Sequence, residues 1–72
     1  MFKIMFMNVG REKWGGVIET KDGTLEDAEN IALIECRQRL LSKNVMLLHM
    51  GDLIYRVKAG LRTVGCIVIT SL

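Results

Sequence analysis

The sequence has no proline, one histidine, one tryptophan, one tyrosine and two cysteines in 72 residues. Each shortage excludes something. Cys36 and Cys66 form at most one bridge, so this is not a disulfide framework, and the pair reads as two buried free thiols in a reducing compartment. One His and two distant Cys give no CxxC or HxxxH clustering, so no zinc or other metal site is expected, and no motif implies a cofactor. The longest apolar run, near residues 64–72, is well short of the roughly 18–20 residues that cross a bilayer. The opening MFKIMFMNVG has one lysine and no small-residue cleavage site, unlike a secretory signal. The expectation is a cytoplasmic protein, of its own cell or an infected host, with no membrane partner. Without proline, repeats or low-complexity stretches there is no linker, and residues 1–72 read as a single domain.

Half of the residues are hydrophobic and a quarter charged, which suits a folded chain rather than a disordered one. A chain this short buries only about 60% of its unfolded surface, and its own core contributes roughly 3–5 kcal/mol. Proteins of this size commonly supplement that core by disulfides, metals or association.

Residues 2–9 place Phe2, Ile4, Phe6 and Asn8 on one side and Lys3, Met5, Met7 and Val9 on the other, the alternation of a strand. GREK (10–13) makes a hairpin loop. WGGVIETK returns as a second strand, in which Gly15 and Gly16 mark a bulge or a close backbone approach. Asp22-Gly23 is the next turn, and TLEDAENIALIECRQRLLSKN (24–44) is a helix. Thr24 and Asp27 have capping-box spacing, Glu26 and Asp27 suit the first turn, and Arg37, Arg39 and Lys43 suit the end. Asn44 is the residue expected to take the left-handed stop conformation. VMLLHM, LIYRVKAG and RTVGCIVITSL form a meander, with Gly51-Asp52 at one turn and Gly60-Leu61 at the other. The order is ββαβββ. The class is α+β, an antiparallel sheet with one helix packed on one face.

On a wheel of about 100° per residue, Leu25, Ala28, Ala32, Cys36 and Leu40 form the natural core stripe, with Leu33 at its edge. Ile31, Ile34 and Leu41 fall on roughly the opposite side among Asp27, Asn30 and Gln38. The first, third and fifth strands are also nearly apolar on both faces. A single helix covers one face of a sheet, so both excesses point to another chain, with a second copy the commonest choice. The expected interface is Ile31, Ile34, Gln38 and Leu41.

Catalysis finds little to work with. His49 stands alone in an apolar strand, and the carboxylates at 22, 26, 27, 35 and 52 are explained by turns, caps and a Glu35–Arg39 pair four residues apart. GREKWGG lacks the GK[ST] ending and the following helix of a phosphate loop. The protein is read as a non-enzymatic interaction module, an adaptor, inhibitor or regulator, that is homodimeric and docks on a larger protein. Its five methionines suit adaptable contacts. Short chains without catalytic groups are frequent among phage and mobile-element accessory proteins, an association of size and composition. The alternative is nucleic-acid binding, with Trp14 stacking between Arg11 and Lys13 and a basic strand face of Arg56, Lys58 and Arg62 with Lys3. Against it stand Glu12, Glu19 and a net charge of only +2.

Overall fold

The computed structural model describes residues 1–21 and 23–72; Asp22, expected in a turn, lies outside the described residues. The described elements are β1 (Phe2–Val9), β2 (Trp14–Thr20), α1 (Leu25–Leu40), β3 (Val45–Gly51), β4 (Ile54–Ala59) and β5 (Arg62–Ser71). The strands make one antiparallel sheet in the order β2-β1-β5-β4-β3. The expected α+β class and element order are what the chain adopts. The central pair joins β1 to β5, with Phe2 opposite Ser71 and Ile4 opposite Ile69. The chain leaves the sheet at one edge, β2, and re-enters at the other, β3, so α1 must cross the whole face between them.

That crossing defines the core. Ile4, Phe6, Tyr55, Val57, Ile67 and Ile69 point from the strands towards Ala28, Ala32 and Cys36 of the helix, and all are buried. Two alanines and a cysteine keep the helix surface low, so its backbone approaches the sheet closely while the bulk comes from β-branched and aromatic strand residues. The capping box closes as expected. The Asp27 N–H donates to Thr24 Oγ1 at 3.2 Å, and the Thr24 N–H donates to Asp27 Oδ2 at 2.9 Å.

Several expectations need correction. Val9 is buried and Asn8 exposed, the reverse of strict alternation. The ladder shifts between Phe6 and Val9, and Asn8 takes φ 54°, so a bulge in β1 turns Val9 inward. The glycines marked as the irregular site sit opposite this bulge, and a side chain at Gly15 would come 3.2 Å from the Phe6 carbonyl oxygen. Trp14 opens β2, as expected for the strand WGGVIETK.

Leu25 is 41% exposed. It is the first helical residue, and side chains lean towards the helix N-terminus, so it reaches beyond the sheet it was expected to cover. The helix stops at Leu40, and Leu41 rather than Asn44 adopts the left-handed cap with φ 50°. In the β3–β4 turn, Asp52 and Leu53 form the connection and Gly51 ends the strand. Both cysteines are free, but only Cys36 is buried; Cys66 is half-buried on the opposite sheet face.

Candidate functional site

The face of the sheet away from α1 is apolar from edge to centre. The registers align Val17, Met5, Val68 and Ile54 in one row across β2, β1, β5 and β4. Met7, Cys66, Arg56 and Leu48 form a parallel row displaced towards β3. Val17 is 54% exposed and Ile54 49%, and Leu48, Met46 and Met50 are exposed along the β3 edge. An antiparallel sheet with one covered face ordinarily turns polar residues to water. Among the described strand residues, charge enters here at Lys3 and Glu19, which face each other in register, and at Arg56 and Lys58.

Of the expected interface residues, Ile31, Ile34 and Gln38 share the outward side of α1 and are exposed. Leu41 does not join them, because the left-handed cap carries it off the end of the helix, where it is 92% exposed.

The six residues of the nucleic-acid alternative separate into three groups. Arg11, Lys13 and Arg62 line one open cleft of about 610 Å³, with Leu40 and Val64. Gly10 closes its wall by donating its N–H to the Val64 carbonyl at 2.8 Å. Arg56 and Lys58 lie on the open sheet face, and the Lys58 ammonium donates to the Leu61 carbonyl and to Thr63 Oγ1 at 3.4 and 3.3 Å. Trp14 packs inward. Its ring lies 4.9 Å from that of Phe6, and the Arg39 guanidinium sits 4.0 Å over it while Arg39 Nε also donates to Glu35 at 3.2 Å. A base stacking on that side of the indole would have to displace Arg39.

Arg39 is therefore a residue that sequence reasoning assigned to half of its work. The four-residue spacing found Glu35, and nothing local revealed the indole. Leu61 and Lys43 read locally as turn and helix-end residues, although a leucine between Gly60 and Arg62 in a predicted turn is a signal in itself.

Charge is segregated between the two ends of the antiparallel strands. The end formed by the β1–β2 loop, the close of α1 and the β4–β5 turn carries Arg11, Lys13, Arg39, Lys43 and Arg62 against Glu12 and Glu35. The other end carries Glu19, Glu26, Asp27 and Asp52 against Lys3 and Lys21.

His49 stacks on Tyr55 with ring centroids 4.5 Å apart and planes at 10°, and its Nε2 lies 2.6 Å from the Asp52 carbonyl. A carbonyl only accepts, so that nitrogen carries the proton. Burial, and then the Glu35 charge, push the Cys36 thiol up to about 11, leaving it protonated and weakly nucleophilic at neutral pH. Among the described residues no three of His, Cys, Asp and Glu cluster as metal ligands. No helix of the described residues is long and apolar enough to cross a membrane. Comparison with protein-family models, with curated proteins and with solved structures finds no match.

Proposed function

We propose that this protein is a small non-catalytic interaction module that pairs with a second copy of itself through the open sheet face. The observation that carries the reading is the row Val17–Met5–Val68–Ile54, four apolar side chains in register across four strands with no element over them. Five strands at about 4.8 Å spacing give a face on the order of 500 Å² before side-chain relief is counted. That matches the largest apolar patch a monomer ordinarily exposes and approaches the low end of specific interfaces. A self-complementary face closes on itself by a two-fold axis, which leaves the helix stripe of Ile31 and Ile34 free for a larger protein. Both cysteines are free, which suits a reducing compartment.

Sedimentation velocity across a range of concentrations tests the reading with two variants. The wild-type chain is expected to sediment as a dimer, Val17→Glu with Ile54→Glu as a folded monomer, and Ile34→Glu still as a dimer. A wild-type monomer at every concentration overturns the proposal. A dimer lost only in Ile34→Glu moves the interface to the helix.

A further inference from the structure

Two leucines stand almost wholly in water: Leu41 is 92% exposed and Leu61 97%, the highest values among the large apolar side chains. Neither contributes to the core, and both sit on anchored backbone. The N–H groups of Leu41 and Ser42 both donate to the Arg37 carbonyl. The Gly60 N–H donates to the Asn44 carbonyl at 3.1 Å, tying the loop after α1 to the β4–β5 turn, and Lys58 holds the Leu61 carbonyl. The fold thus presents two exposed leucines in sequence-distant loops that the Gly60–Asn44 hydrogen bond joins, at the end where Lys43, Arg62, Arg11 and Lys13 collect. Of the two carboxylates there, Glu35 is already paired with Arg39.

We propose that, against the expectation of no membrane partner, which rested on the lack of a spanning segment, this end docks on the surface of an anionic lipid bilayer, with Leu41 and Leu61 entering the headgroup–acyl boundary and the surrounding Lys and Arg remaining among the headgroups. The combination fits a lipid surface better than the alternatives. Phosphate backbones use the cations but give bare leucines nothing to pack on. Protein hot spots favour Trp, Tyr and Arg in central pockets, whereas these leucines are at protruding loops. An interfacial anchor uses apolar tips and cations together. The acidic opposite end is repelled by the same surface, so the strands stand away from the membrane. The open sheet face is not consumed, and this docking is independent of dimerisation.

Co-sedimentation of the full chain with vesicles tests the assignment. Phosphatidylcholine vesicles containing phosphatidylserine are expected to carry the protein down, increasingly less as salt is raised, while phosphatidylcholine alone does not. The double variant Leu41→Asn, Leu61→Ser keeps a residue tolerant of the left-handed cap and should bind roughly tenfold more weakly, with an unchanged far-ultraviolet spectrum. Absence of binding to the anionic vesicles overturns the proposal, as does undiminished binding by the double variant. Tighter binding to a DNA duplex than to vesicles, insensitive to the leucines, assigns the basic end to phosphate backbones instead. Loss of self-association in the double variant assigns the leucines to a protein contact.

Discussion

The Tyr55 hydroxyl donates a 2.6 Å hydrogen bond to the Glu29 carboxylate across the seam between β4 and α1. Burial first, and then the bond to Glu29 and its charge, push the phenol up to about 12. Tyr55 is the single tyrosine, so phenolate absorbance reads it directly. The native midpoint is expected near 12, against about 10 in denaturant. Because the folded value is the higher one, the associated stability is complete below pH 10 and is lost as pH rises through 12. A native midpoint at the ordinary value would mean the bond is absent. Tyr55→Phe should cost about 1 kcal/mol in urea unfolding, since the freed Glu29 is only half-buried and regains water.

Gly65 faces the bulged segment of β1. A Cβ there would lie 3.0 Å from Val9 Cγ2 and 3.1 Å from Val9 Cα. Backbone cannot rotate aside, so Gly65→Ala should destabilise by about 1–3 kcal/mol in denaturant titration. A loss under about 0.5 kcal/mol would show that the two strands relax apart.

The two thiols should differ in rate with an aromatic disulfide reagent. Cys66, half-buried on the open sheet face, is expected to react in the native protein, whereas Cys36 waits for unfolding. Dimerisation through that face shields Cys66, so its rate should fall as protein concentration rises. A rate independent of concentration, in a protein that sediments as a dimer, would place the interface elsewhere.

Leu41 holds a left-handed backbone with φ 50° while its side chain packs on nothing. Leu41→Gly removes the steric penalty without losing a contact. The variant is expected to be more stable by about 1 kcal/mol, read from the urea midpoint. An unchanged or lower midpoint would mean that the leucine has a packing role.

The element order was legible because three kinds of local signal agreed: alternation in the strands, Thr24 with Asp27 at the helix start, and glycine turns. Where one residue depends on a distant partner, local reading failed. Alternation alone turns Val9 outward, because a bulge depends on the strand opposite it. Asn44 looked like the natural helix stop, but Leu40 is seated beside Gly10, where an added Cβ would lie 3.1 Å from Leu40 Cδ2, and the chain turns immediately afterwards. Trp14 was read from its neighbours Arg11 and Lys13, whereas its ring packs with Phe6 and Arg39. The apolar second face was visible in the strands that carry both hydrophobic phases. Which side chains align across it needed the strand order, and segregation of charge to the two ends needed the helix direction over the sheet.

Placing β1 against β5 at the centre of the sheet also governs how the molecule assembles. The β1–β2 hairpin and the β3–β4 hairpin can each form from neighbouring residues, but neither touches the other without the last strand between them. Closing the sheet therefore requires the pairing with the greatest sequence separation among the described strands, whose loop entropy is expected to slow folding. During synthesis the two hairpins and the helix emerge with their apolar sides uncovered. Only residues 62–71 supply the strand that joins both hairpins in one sheet, so the sheet is expected to close late in folding.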